Sequence, residues 1–407
     1  MSHFTRYSRG LRILTLLLVL GYGTFTIWNL HNRGLFEYVG IDYRLWYSSG
    51  VIARSHGFAS VYDADLQTQY QQPLYDQYAL PSQFSMPFWA LPLPYLAAFV
   101  APMMLLTLFS PVTGFLLLTS FNMLGSMVYL SWFMRRNGGI LRRDTSVLAA
   151  LALPFVLNAL SGALNLWLLI TLGEFITALR RGRDYQAGVW LAGLLLKPQT
   201  LLLLVPGLIL SRRHKALMGL VLGTLIVVGS SVLLAGPAAI AGPLTAVREW
   251  PAALAESGMN YRAFSINMDR FVAHGFSNPL AMISAAVTLA AALWLWLPGE
   301  DLWASHHLDA AVLATYAATC SVSPHRNVHM AIPMLALGLA MHEKGIVPPR
   351  LALAWVTVPT VLFLLASLRS VSIAHAAGGM SVLGMNLAVL IWAVHDKSRA
   401  LCASSAP

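Results

Sequence analysis

The chain is short of charge, of carboxylates and of cysteine. Only 10% of its 407 residues are charged, whereas soluble domains carry about 25%. Its two cysteines, Cys320 and Cys402, supply neither a disulfide framework nor a metal-binding spacing. The 26 Lys and Arg residues are scattered through short loops and form no contiguous basic face with interleaved aromatics, which argues against a nucleic-acid-binding protein.

Apolar residues are abundant instead. Hydrophobic residues make up 57% of the chain and the mean hydropathy is +0.65. Many apolar runs approach the ~20 residues that a helix needs to cross a bilayer, and they are continuous rather than alternating as in a transmembrane barrel. The sequence predicts an all-α, polytopic integral membrane protein that forms a single transmembrane domain over 1–407, with about 11 to 13 crossings. The candidate spans are 11–30, 86–109, 112–134, 145–160, 164–180, 186–196, 198–211, 216–235, 279–298, 308–322, 329–341, 350–368 and 379–395.

The basic residues predict the orientation of these spans. Three arginines precede the first span, which places the N-terminus in the cytoplasm, and we expect that span to be retained rather than cleaved as a signal peptide. The loop 31–85 then lies outside, as does a second loop at about 236–278, while the tail 396–407 is cytoplasmic. One conflict arises, because residues 86–134 hold two apolar runs where the charges require an odd number of crossings. Either one run is re-entrant or a basic loop lies outside.

The first outer loop contains the stretch GIDYRLWYSSGVIARSHGFASVYDAD, Gly40 to Asp65. Its periodicity predicts an amphipathic helix on the membrane surface, from Asp42 to Arg54 and ended by Gly57. Asp42 has two interpretations, a helix cap or a general base whose pKa rises with desolvation. Asp63 and Asp65 are predicted to be structural or solvated.

Two proline-containing stretches interrupt apolar runs. In SMPFWALPLPY the prolines predict a broken helix, which is either a kinked span or the wall of a cavity. Lys197 lies in LLLKPQTLLLL, and lysine inside an apolar run is a functional candidate because its burial is costly. Pro198 predicts a helix break through which Lys197 reaches a cavity, with snorkelling to the interface as the alternative. Glu174, within another span, is predicted to pair with a nearby arginine or to face a wet crevice.

Two further outer segments concentrate polar residues. MNYRAFSINMDRF carries Asn260, Arg262 and Arg270, and arginine forms paired hydrogen bonds to phosphate oxygens. Headgroup contact or a local ion pair is the alternative. SVSPHRNVHM carries His325, Arg326 and His329. His325 and Arg326 are predicted to contact phosphate or sugar, with a plain polar loop as the alternative. The two histidines have a spacing that metals use, but no HExxH-type glutamate follows, and we predict no metal and no cofactor.

Taken in order, these segments resemble glycosyltransferase family 87. The matching residues follow one another along the chain, from about 11 to 341. They are Asp42, Trp46-Tyr47, Gly57, Tyr62-Asp63, Pro87, Pro92-Leu93, Gly162, Asn165, the stretch RRGRDYQAGVWLAGLLLKPQ and Ser323-Pro324-His325. The resemblance implies a GT-C membrane fold and an α-mannosyltransferase-like enzyme that uses a polyprenyl-phosphate sugar.

The resemblance also implies roles for individual residues. Asp42 would be the general base that deprotonates the acceptor hydroxyl in an inverting single displacement. Cationic groups would face the leaving phosphate, and the candidates are Lys197, Arg262, Arg270, His325 and Arg326. Tyr43, Trp46, Tyr47, Asn165 and Asn260 would contact substrate. The partners would be a lipid-linked sugar donor and a lipid or glycan acceptor, at the outer face of a bacterial inner (plasma) membrane.

Two other classes of protein fit the same pattern. A transporter or flippase of a lipid-linked saccharide would place ionisable groups in mid-span and show an internal repeat, whereas the polar groups here lie at the outer ends of spans. A ligase that joins a finished glycan to a lipid would use outer loops as well, and the sequence separates it poorly from a single-sugar transferase.

Overall fold

The computed structural model describes residues 8–80, 88–256, 279–297, 307–322 and 327–404. Within these ranges the chain folds into α-helices joined by short 3₁₀ turns, with no strand. The helices α1 to α17 are, in chain order, Ser8–Arg33, Ile41–His56, Ala64–Tyr78, Ala97–Val100, Pro111–Arg136, Arg143–Leu151, Leu153–Ser161, Asn165–Arg180, Asp184–Leu191, Leu204–Leu210, His214–Ala235, Ala238–Glu256, Pro279–Trp294, His307–Val322, Ile332–Glu343, Pro349–Ser367 and Val371–Ser404. The predicted all-α architecture is confirmed.

Five of the described helices are long and apolar enough to cross a membrane. They are Ile13–Arg33, Pro111–Arg136, His214–Ala235, Pro349–Ser367 and Val371–Cys402. The pair α6 and α7, bent by 58°, makes a sixth if it forms one broken span. The protein is therefore a multi-pass membrane protein, and the 11 to 13 crossings stay a prediction.

The core of the bundle lies around three inner helices. All of α14 from Leu308 to Val322 is buried, and most of α8 and of α15 is buried with it. The long helices surround them and keep large apolar side chains exposed, such as Leu17 on α1 and Leu225 on α11. Exposed apolar faces of this extent are expected where the solvent is lipid.

The proline-rich stretch breaks the predicted span 86–109. Residues 88–96 contain no helix, and the chain then forms a short apolar helical segment, Ala97–Leu108, that changes from α to 3₁₀ geometry. At 1.5–2.0 Å per residue its length is about 20 Å, short of the ~30 Å hydrocarbon core. Among the described residues 88–136, only α5 is long enough to cross, which favours the re-entrant solution of the charge conflict.

The predicted first outer loop folds, over its described residues 31–80, into helices that pack against the bundle. The predicted helix is present as α2 and ends at Gly57, whose φ is 86°. Nine of its 16 residues are buried, including Arg44, so α2 is more enclosed than a helix lying on a surface. Asp63 caps α3, because its carboxylate accepts hydrogen bonds from the backbone N–H groups of Asp65 and Leu66. This confirms the structural role predicted for Asp63.

Charged residues gather at one end of the bundle, which we call the basic end. Its ion pairs are Arg136–Glu174 at 2.7 Å, Arg213–Asp184 at 2.7 Å and Arg180–Asp309, in which the carboxylate is fully buried. The predicted pairing of Glu174 with an arginine is confirmed. These arginines lie at or beside the short arginine-rich loops near residues 140, 182 and 213, which the positive-inside rule predicts to be cytoplasmic.

Candidate active site

Asp42 is fixed where the start of α2 meets the end of α7. Gly40 precedes α2 in a left-handed conformation, with φ at 84°, and its N–H donates to the Leu160 carbonyl at 2.6 Å. Gly162 ends α7 with φ at 74°, and a Cβ there would lie 2.6 Å from the Tyr43 Cβ. Glycine suits both positions, because other residues rarely adopt positive φ and an added Cβ would collide with the Phe36 ring at Gly40 and with the Tyr43 Cβ at Gly162.

The N-cap of α2 is Gly40, so Asp42 is not the capping residue. Asp42 lies in the first turn instead, where the helix dipole favours a negative charge. Its side chain hydrogen-bonds to the Ser161 hydroxyl at the end of α7. The structure therefore distinguishes the two interpretations of Asp42. Gly40 occupies the N-cap position, so the Asp42 carboxylate is not used in capping and can act on a substrate.

The surroundings of Asp42 make its carboxylate more basic than usual. Burial raises its pKa above the ordinary value of 3.8, and the positive charge of Lys197 and the hydrogen bond from Ser161 offset part of that rise. Desolvation disfavours the charged form of an acid, so a desolvated carboxylate takes up a proton more readily. Asp42 is nevertheless partly exposed, so a substrate can reach it.

Lys197 lies in the helix break that the sequence predicts. The 3₁₀ turn Ala192–Leu196 ends there, Lys197 itself is non-helical with φ at −138° and ψ at 80°, and a second turn, Pro198–Leu201, follows. The lysine is only 8% exposed, and its Nζ lies 3.5 Å from His329 Nε2. The break thus turns the ammonium group inward, beside His329 and within electrostatic range of Asp42.

Two histidines extend this group of polar residues. His329 lies in the 3₁₀ turn Val328–Ala331, and the charge of His375, from α17, acts on it. His375 Nε2 is hydrogen-bonded to the Tyr38 hydroxyl. We call Asp42, Ser161, Lys197, His329 and His375 the site end. Sequence reasoning missed Ser161 and His375, because their partners are far away in the chain.

The aromatic and amide residues predicted to bind substrate are mostly packing residues. Tyr43 is fully buried, Trp46 is 2% exposed, and the Tyr47 hydroxyl donates to the Phe109 carbonyl at 3.0 Å. Asn165 is fully buried and donates to Asn158 Oδ1 at 2.8 Å. Only Tyr47 keeps a partly exposed surface among these four. Five other predicted site residues lie outside the described part of the chain, namely Asn260, Arg262, Arg270, His325 and Arg326.

The model of glycosyltransferase family 87 matches residues 94–324. The matched region contains Ser161, Asn165 and Lys197, while Asp42, His329 and His375 lie on either side of it. Neither the curated proteins nor the solved structures contain a match to the chain. Since the match covers more than half of the sequence, and since the fold is a multi-pass helical bundle with a carboxylate and a lysine at one end, the chain belongs to glycosyltransferase family 87.

Proposed function

We propose that the protein transfers a hexose, with mannose as the first choice, from a polyprenyl-phosphate sugar to a lipid or glycan acceptor. The reaction takes place at the outer face of a bacterial inner membrane. The observation that supports this most directly is Asp42, a desolvated carboxylate with a raised pKa that is oriented by Ser161 and lies within electrostatic range of Lys197.

Asp42 acts as the general base. It accepts the proton of the acceptor hydroxyl while that oxygen forms a bond to the anomeric carbon of the donor. The bond from the anomeric carbon to the phosphate oxygen breaks, and its electron pair leaves with polyprenyl phosphate. A base is most effective when its pKa approaches the working pH, and burial moves the pKa of Asp42 in that direction.

Lys197 and His329 are the described groups best placed to stabilise the leaving phosphate. Fixed positive charge and N–H donors stabilise charge that develops in the transition state, most strongly where water is excluded. Lys197 is buried, and its Nζ lies 3.5 Å from His329 Nε2. Because an ammonium group only donates, Nε2 accepts this contact and the N–H donor of His329 is on Nδ1. Arg262, Arg270, His325 and Arg326 stay candidates for the same phosphate.

The test uses the purified full chain in lipid nanodiscs. It is incubated in turn with polyprenyl-phosphate mannose, glucose and arabinose together with a membrane lipid extract. We expect one donor to be consumed and one acceptor species to gain the mass of a single sugar residue, with an inverted anomeric configuration. Unchanged donors and acceptors with all three sugars would count against the proposal.

A further inference from the structure

Tyr95 is an aromatic residue that the reaction above does not use. It lies in the non-helical segment before α4, and its ring stacks on Trp46 with 4.5 Å between centroids and 24° between planes. Trp46 is 2% exposed, whereas Tyr95 is partly exposed. Because Trp46 covers one face of the tyrosine ring, a ligand can reach only the opposite face or the ring edge.

This ring lies beside Asp42. Trp46 follows Asp42 by four residues on α2, so both side chains lie on one face of the helix. The Asp42 charge acts on the Tyr95 hydroxyl through space. The stack therefore places an aromatic surface next to the carboxylate where the acceptor hydroxyl reacts.

The backbone that carries Tyr95 is rigidly held. The Gln71 side chain donates to the Leu91 carbonyl at 2.9 Å and accepts from the Leu91 N–H at 3.0 Å. The Tyr62 hydroxyl donates to the carbonyl of Tyr95 itself at 2.9 Å. Pro94 immediately before it fixes its own φ. A group that is held in place before binding loses little conformational entropy when a ligand arrives.

We propose that the face of the Tyr95 ring opposite Trp46 is a stacking subsite for the pyranose ring that reacts at Asp42. One face of a pyranose is lined with C–H groups, which pack on an aromatic ring through dispersion and weak C–H···π contacts. The subsite rests on the proposed glycosyl transfer. Donor and acceptor rings share this chemistry, and the experiment separates them.

The first arm compares Tyr95→Phe with Tyr95→Leu in the full-length protein. Phenylalanine keeps the ring, so the KM values for donor and for acceptor stay within about twofold of wild type. Leucine keeps apolar bulk but loses the ring, and the KM of the stacked substrate rises on the order of tenfold, as expected for the loss of an aromatic contact. If the donor KM rises, the stacked ring belongs to the donor, and if the acceptor KM rises, it belongs to the acceptor. Tyr185→Leu, an exposed tyrosine at the basic end, is the matched control.

The second arm measures binding without turnover. Saturation-transfer NMR with methyl α-D-mannopyranoside and methyl α-D-glucopyranoside is recorded on Asp42→Asn, alone and combined with Tyr95→Phe or Tyr95→Leu. We expect saturation of the C–H protons on one sugar face, retained with phenylalanine and lost with leucine. Equal saturation in all three proteins, or none in any, overturns the subsite. A subsite that survives while Asp42→Asn alone turns over normally would instead contradict the base assignment.

Discussion

The two ends of α8 differ in how the charge of nearby carboxylates is compensated. This helix has 16 residues and spans about 24 Å, from Asn165 near the site end to Arg180 at the basic end. At the basic end each named carboxylate meets a guanidinium, as in Arg136–Glu174 at 2.7 Å and Arg180–Asp309. At the site end, burial disfavours the ionised form of Asp42, and Lys197 and Ser161 offset this effect only in part.

This difference indicates what each end is for. Pairing satisfies buried charge and fixes the packing of α5, α8 and α14, so removing one partner is costly. A buried carboxylate whose charge is only partly compensated has a raised pKa and accepts a proton more readily. Charge should therefore govern stability at the basic end and turnover at the site end.

The largest effect is expected for Asp42→Asn. Asparagine is close in shape but accepts no proton, so turnover with a polyprenyl-phosphate sugar falls by about 10² to 10⁴, the usual contribution of a general base. The protein still inserts and binds donor. Its Tm in detergent does not fall, because a buried carboxylate with a raised pKa destabilises the folded state once it ionises.

The control for that variant is Asp65→Asn, which changes an exposed aspartate in the first turn of α3. Sugar transfer is measured for both proteins under identical conditions. Near-normal turnover by Asp42→Asn would falsify the base assignment.

Lys197→Met is expected to have the next largest effect. Loss of a preorganised cation lowers kcat by about 10² to 10³. It also removes a charge that holds the pKa of Asp42 down. Because Asp42 must be ionised to act, activity falls as the pH drops through its pKa, so this acid limb moves to higher pH in the variant.

A pH–rate profile of kcat/KM measures that displacement, with Lys215→Met, an exposed lysine at the start of α11, as control. An acid limb that stays in place, or moves to lower pH, would show that Lys197 does not act on Asp42.

Local signals in the sequence found part of this arrangement. The end of α2 at Gly57 and the break at Lys197 were readable because glycine and proline act on their own backbone. The role of His375 could not be predicted from the sequence, because its partner Tyr38 is 337 residues away. A histidine near the start of an apolar run gives no local signal of such a contact. Ser161 was hidden for the same reason, since only tertiary packing brings the end of α7 to Asp42.

At the basic end, Asp309→Asn tests the other half of the comparison. The substitution leaves the Arg180 guanidinium facing a buried neutral amide, and breaking a buried pair costs about 3–5 kcal/mol of folding free energy. We expect a lower Tm in detergent with unchanged KM values for the protein that remains folded. A normal Tm combined with a changed KM would reverse the roles assigned to the two ends.

The smallest effect is expected for Ser161→Ala, paired with Ser146→Ala on α6. The two serines lie near opposite ends of the bent pair α6 and α7, and each hydroxyl is close to a backbone carbonyl of its own helix, at 3.4 Å for Ser161 and 3.1 Å for Ser146. Only Ser161 also bonds to Asp42. Its loss therefore lowers kcat by about two- to tenfold, the value of one hydrogen bond, and moves the acid limb of the pH profile to higher pH. If both variants gave the same profile, Ser161 would be part of the helix end and would have no part in orienting the base.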